Sequence, residues 1–229
     1  MNKISTYIFI HDQQLLLDCE RKHRFSKLPD IKYVFLGNGN ADNIKDRKDI
    51  IIARDLQFNI EQYPKFCSFT GWYALWKNNL IDSEYVHLFE YDILIRDKFN
   101  SEVEKAINNK YDFIGYVPMS VNFGFINPIY LANLDAAIKK NYIGMKEKLD
   151  DIINNKKLEW SSTSNSTFYY EVFNEYMTWF EELIDDLKNN RMCGHAHERS
   201  ISFFYLLFNK KIILIKNIFN HFMLNSHGT

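Results

Sequence analysis

Glu90 and Asp92 stand one residue apart near the end of Tyr85-Val86-His87-Leu88-Phe89-Glu90-Tyr91-Asp92-Ile93-Leu94-Ile95, an apolar run with the character of a buried strand. Side chains at i and i+2 of a strand share a face, so the spacing predicts two carboxylates converging where the sheet meets solvent. Oxygen ligands in that arrangement suit a hard divalent cation, Mg²⁺ or Mn²⁺, that keeps open positions for a substrate diphosphate. A strand that simply ends in a turn, with both acids solvated, is the plain alternative. Placement favours the first reading, because open α/β sheets bind ligands outside the carboxyl ends of their strands.

A second constellation is Cys193-Gly194-His195-Ala196-His197-Glu198-Arg199, read as a glycine turn running into an amphipathic helix through Ile201, Phe204, Tyr205 and Leu207. Glu198 is then expected at a helix amino terminus, where the exposed N–H groups stabilise a carboxylate in its proton-accepting form. That makes it a candidate general base toward an acceptor hydroxyl, with Arg199 or a histidine steering phosphate or sugar oxygens. A residue that merely complements the helix dipole would look the same. His195 and His197 have no third ligand at motif spacing, so zinc is not indicated. His221 and His227 are candidates to close over the site and complete a cation's coordination, against the alternative of a solvated tail.

These residues need elements to hold them. Tyr7–Ile10 and Lys32–Leu36 read as strands around a helix over Gln13–Phe25, and Asp49–Ala53 as a third strand. His11-Asp12 and Arg54-Asp55 follow strands directly. They occupy positions for a nucleotide base and a diphosphate, although Asp12 also suits a helix cap and Arg54 a surface pair. A helix is expected over Thr70–Asn78, another from Ser101 to Asn108 with Glu104 as capping-box partner, and a strand over Tyr111–Val117. After Asn122-Phe123-Gly124, where a glycine turn lets a sugar approach the backbone, the spacing predicts helices over Asn133–Asn155 and Ser166–Asn189. A polar surface loop, Leu158–Asn165, should separate them and present Trp160 for stacking. Arg199–Phe208 reads as a helix and Lys211–Ile215 as a strand. Strands alternating with helices imply an α/β fold with a mostly parallel central sheet flanked by helices and a helical insertion in the second half.

Composition sets the bounds. The chain has 229 residues with 28 basic and 29 acidic side chains, a net charge of −1, so it carries no basic footprint for nucleic acid. Lys139-Lys140 and Lys210-Lys211 leave open a peripheral contact with a membrane or an anionic substrate. The odd number of cysteines, 3, without a paired motif indicates no disulfide framework and suits a reducing cytoplasm. The apolar stretch at the amino terminus is too short for a signal peptide, and Lys210, Lys211 and Lys216 break the late one.

With these pieces in order, the chain resembles a GT-A type glycosyltransferase, most similar in layout to small bacterial polysaccharide and lipopolysaccharide sugar transferases. The resemblance rests on the strand-helix start, the hydrophobic strand closing in Glu90-Tyr91-Asp92, and the acid at a later helix. It implies a single domain in which residues 1–130 bind the nucleotide sugar and residues 131–229 form a helical acceptor-side half. It further implies Mn²⁺ or Mg²⁺ on Glu90, Asp92 and His227, and a donor held by His11, Asp12, Arg54, Asp55, Tyr91 and Arg199. A glycan or glycolipid acceptor would lie near Trp160, Asn122 and His197, with Glu198 as the base of an inverting reaction. A nucleotidyltransferase or a non-catalytic carbohydrate-binding module remains the alternative, although His11-Asp12-Gln13-Gln14 supplies no glycine-rich phosphate loop.

Overall fold

The structure is a computed structural model that describes residues 3–39, 41–120, 128–142, 144, 146–154, 159–161, 163–189 and 193–221. The chain opens with β1 (Ile4–Ile10), α1 (Gln13–Arg21), β2 (Ile31–Phe35) and β3 (Ile50–Ile52), followed by α2 (Phe69–Lys77), β4 (Tyr85–Glu90) and β5 (Ile93–Ile95). Next come α3 (Phe99–Asn108), β6 (Phe113–Tyr116), β7 (Pro118–Ser120), α4 (Pro128–Asn141), α5 (Lys146–Asn154) and β8 (Glu159–Ser161). Then follow β9 (Ser166–Tyr169), α6 (Tyr170–Leu187), α7 (Cys193–Leu207), β10 (Ile212–Ile215) and β11 (Phe219–His221).

Seven of these strands form one sheet in the order β10-β6-β9-β4-β1-β2-β3. β1 pairs in parallel with β2 and β4, β2 with β3, and β6 with β10, whereas β9 runs antiparallel between β4 and β6. The α/β class and the mostly parallel sheet therefore stand as the alternation of segments implied. Among the described residues, no helix is long and apolar enough to cross a membrane.

The pleat sorts β1 between two cores. Tyr7 and Phe9 join residues of α2, α6 and α7, while Ile8 and Ile10 join residues of α1 and α3 on the opposite face. With both faces covered, β1 reads as a continuous apolar run over Tyr7–Ile10, and β4 as one over Tyr85–Phe89 broken only by His87, instead of alternating. Trp72, Phe168, Phe173 and Tyr176 meet ring to ring on the first side. Each such buried ring contributes about 1.5–3 kcal/mol by leaving water, so this cluster fixes the helices more firmly than any surface ion pair. On the second side, His87 Nδ1 lies 2.6 Å from the Thr167 hydroxyl oxygen, which also meets the Tyr116 hydroxyl at 2.8 Å. One hydroxyl thus ties β4, β9 and β6 together.

The second half departs from expectation in three places. The helix expected over 133–155 is two helices, α4 ending at Asn141 and α5 starting at Lys146. Ser166–Tyr169 is a central strand, and the following helix starts only at Tyr170, because pairing on both sides with β4 and β6 overrides the helical spacing of the rings. The polar stretch before it is no surface loop: Trp160, Ser161, Thr163, Ser164 and Asn165 are buried. Burial is tolerated there because hydroxyls bond to backbone, Ser161 Oγ donating to the Tyr116 carbonyl at 3.1 Å and Ser166 Oγ to the Ser164 carbonyl at 3.0 Å. In the first half, Ser101 sits inside α3 and donates to the Lys98 carbonyl at 3.0 Å, so it forms no capping box.

Candidate active site

A cavity of about 280 Å³ opens where β1, β2 and β4 end, and His11, Gly37, Glu61, Ser68, Glu90 and Asp92 are on its wall. The strand order reverses at β1, with β2 and β3 continuing to one side and β4 to the other. The cavity therefore occupies a topological switch point, the place where open α/β sheets hold ligands.

The acids converge through a turn instead of through strand period. β4 stops at Glu90, and Tyr91-Asp92 forms the turn into β5. Glu90 is fixed at both ends: its N–H donates to Asn165 Oδ1 at 2.7 Å, and its Oε1 accepts from Ser68 Oγ at 3.0 Å. Arg24 holds the turn by donating to the Tyr91 carbonyl at 3.1 Å. The Tyr91 ring meets His11 edge to face at 5.2 Å, and Asp92 is buried at the cavity wall.

Glu198 approaches from α7. The helix begins at Cys193, so Glu198 lies beyond its first turn and not at the amino terminus that the sequence predicted. Gly194 makes the approach feasible. A Cβ there would lie 3.1 Å from both Cys67 Sγ and the Lys65 carbonyl, so a larger residue would push the start of α7 off the 64–67 turn by a few tenths of an ångström. Burial raises the Glu198 carboxyl above the usual glutamate range. The charge of Glu90 acts in the same direction, against the His195 hydrogen bond and the Arg199 guanidinium. Partial desolvation, with the charges of Glu90 and Glu198, also pushes the cavity-lining Cys67 thiol up to about 11, although the residue keeps an exposed surface. Glu90, Cys67 and Glu198 thus share one electrostatic environment.

Other expected site residues go elsewhere. Neighbours on a helix point in different directions, and while Glu198 lies within electrostatic reach of Glu90, His197 enters the core among Phe69 and Trp72 at 4.6 and 4.7 Å. Neither of its ring nitrogens has a hydrogen-bond partner, and burial lowers its pKa to about 3, so it is a neutral core residue and not an acceptor contact. Trp160 is likewise buried, with the Arg199 guanidinium 5.0 Å over its ring, and offers no open stacking face. Arg199 donates to the His195 carbonyl at 2.9 Å. Asp12 caps α1, accepting from the Gln14 N–H at 2.6 Å. Arg54 braces the turn after β2, donating to the Gly39 carbonyl at 3.1 Å, and Asp55 lines a separate cleft with Lys32, Lys45 and Lys48 along β3. The backbone of His221 pairs with Ile93 in the β11–β5 ribbon, next to Asp92. Asn122 and His227 lie outside the described residues.

Among the described residues, no group of three or more His, Cys, Asp or Glu side chains forms a metal-ligating set. Glu90 and Asp92 on one wall still match what a diphosphate-bearing Mg²⁺ or Mn²⁺ asks of a protein, one or two carboxylates with phosphate and water completing the sphere. Glu61, Cys67 and Ser68 on the wall carried no motif in the sequence. They arrive from a segment joined to Glu90 only by the fold.

The fold is similar to that of the bifunctional glycosyltransferase WbbM in its apo structure, with a TM-score of 0.67 and 16% sequence identity over 97% of this chain and 46% of that one. The likeness is one of fold. The chain spans about half the length of that protein. No family model matches the chain, and no curated protein matches its sequence.

Proposed function

We propose that the chain is a GT-A type glycosyltransferase that moves a sugar from a nucleotide-diphosphate donor to a hydroxyl of a glycan or glycolipid acceptor in surface polysaccharide synthesis. The observation that carries this reading is the switch-point cavity with Glu90 and Asp92 on its wall and Glu198 within electrostatic reach of Glu90. Its fold is shared with a protein described as a glycosyltransferase.

In this account Glu198 takes the acceptor hydroxyl proton as the acceptor oxygen bonds to the anomeric carbon. The bond from that carbon to the diphosphate breaks, and its electron pair leaves with the nucleoside diphosphate. A carboxylate with a raised pKa is the stronger base, provided the pH is high enough to keep it ionised. Glu90 and Asp92 would hold Mn²⁺ or Mg²⁺, which when bound neutralises charge on the departing diphosphate. Ser68 and Asn165 keep Glu90 in place. Residues 1–130 would hold the donor and residues 131–229 the acceptor, at the cytoplasmic face of a membrane if the acceptor is a glycolipid.

Transfer from UDP-, GDP- and dTDP-linked sugars to a glycan acceptor tests the proposal. Glu198→Gln and Asp92→Asn should each lower it sharply, and unreduced transfer in both variants would overturn the assignment.

A further inference from the structure

Glu198 is held at one of its two oxygens. His195 stands three residues before it on α7, and the imidazole Nδ1 lies 3.4 Å from Glu198 Oε2. The Arg199 guanidinium approaches the same oxygen at 3.8 Å, beyond hydrogen-bond range, and is itself anchored on the His195 carbonyl at 2.9 Å. Glu198 Oε1 has no hydrogen-bond partner among the described residues and is not sealed from solvent. One oxygen is therefore restrained and the other is open.

An i, i+3 pair on a fully solvated helix face would be worth little. Here the partners differ in access, the Glu198 side chain being 22% exposed and that of His195 49%. A carboxylate that has lost water needs a donor in its place to stay charged. Burial opposes the Glu198 charge, and so does Glu90 from β4, whereas His195 and Arg199 favour it. Cys67, from the 64–67 turn, shares this field, but its thiol is protonated at neutral pH and adds no charge. The 3.4 Å separation is long for a hydrogen bond, as catalytic contacts often are before a substrate closes the site.

We infer that His195 is a positioning residue for the proposed base: its Nδ1–H holds Glu198 Oε2, which keeps the carboxylate ionised and leaves Oε1 to take the acceptor proton. The inference rests on the transferase reading above, in which Glu198 is the base. His195 itself touches neither donor nor acceptor in this account. His195→Asn is a conservative probe, because the asparagine amide N–H can stand in for Nδ1–H, while His195→Ala removes the donor altogether. The exposure of the imidazole makes both changes tolerable to the fold.

The test has two arms. Carboxyl ¹³C NMR of glutamate-labelled protein in EDTA, with the Glu198 signal assigned by its loss in Glu198→Gln, follows the ionisation of Glu198 with no cation on Glu90. The expected result is a titration midpoint that moves to higher pH in His195→Ala and returns toward the wild-type position in His195→Asn. The second arm is the pH profile of transfer from UDP-, GDP- and dTDP-linked sugars to a glycan acceptor with Mn²⁺ present. His195→Ala should lower kcat about tenfold at acidic pH with KM little changed, a loss that shrinks as the pH rises, and His195→Asn should recover most of it. An unchanged midpoint in His195→Ala, or a loss equal at every pH, would overturn the inference alone. No transfer by the wild type from any of the three donors would overturn the transferase reading, and the role of His195 with it.

Discussion

His87 and His197 are equally buried, on opposite faces of the sheet, in surroundings that differ in kind. His87 shares the Thr167 hydroxyl with Tyr116 at the junction of three strands. His197 is wrapped in aromatic rings with both nitrogens bare, while the residue after it, Glu198, feels the charge of Glu90. The region around His87 spends its polar groups on holding the sheet. Around His197 the polar investment goes into the neighbouring carboxylate, and the imidazole itself acts as filler. A buried histidine is thus no marker of chemistry by itself; what faces its ring nitrogens decides.

The largest effect should come from the α7 side. Glu198→Gln is expected to lower transfer by about 10²–10⁴-fold, the usual contribution of a general base, with the fold intact by circular dichroism. The same variant should be more stable at neutral pH. A carboxyl whose pKa is raised by folding favours the folded state most when protonated, and that stability is lost as pH rises from the ordinary glutamate value through the raised one. Glu198→Gln removes the loss, so its Tm gain over the wild type should be greater at pH 8 than at pH 4. A gain that does not change with pH would argue that Glu198 is already solvated.

On the His87 side the effect should fall on stability. Thr167→Ala strips the shared partner from two buried groups and should cost about 2–4 kcal/mol, seen as a Tm drop of roughly 5–15 °C, with Thr167→Ser restoring most of it. The smallest effect is expected for His197→Leu, under about 1.5 kcal/mol at pH 7, because a ring without hydrogen bonds is exchanged for an apolar side chain of similar size. Acid sharpens the contrast. Folding lowers the His197 pKa from 6.5 to about 3, so stability present above pH 6.5 is lost as pH falls toward that value. His197→Leu should flatten the Tm decline between pH 7 and pH 4, and an unchanged decline would place the acid-sensitive group elsewhere.

Much of this architecture was legible in the sequence, for a physical reason. Strands buried on both faces announce themselves as apolar runs, which fixed β1, β2 and β4 and the place of Glu90 and Asp92 at the end of one of them. β9 was hidden because Ser166-Thr167-Phe168-Tyr169 is half polar, and its pairing is long-range and antiparallel. The fate of His197 was written in a pattern that misplacing the helix start obscured. His197, Ser200, Ile201 and Phe204 follow the i, i+3, i+4, i+7 spacing of one buried helix face, and Glu198 falls off it. Glu61 and Ser68 had no local signal, since their meaning comes only from the strand ends they reach.

The central claim is that this cavity takes a nucleotide-diphosphate sugar through a cation on Glu90 and Asp92. A thermal-shift measurement with the UDP-, GDP- and dTDP-linked sugars, in Mn²⁺ and in EDTA, on the wild type and Asp92→Asn, tests it most directly. The account predicts a rise in Tm for one nucleotide family that disappears both in EDTA and in the variant. A shift that survives both, or no shift with any of these donors, would contradict it.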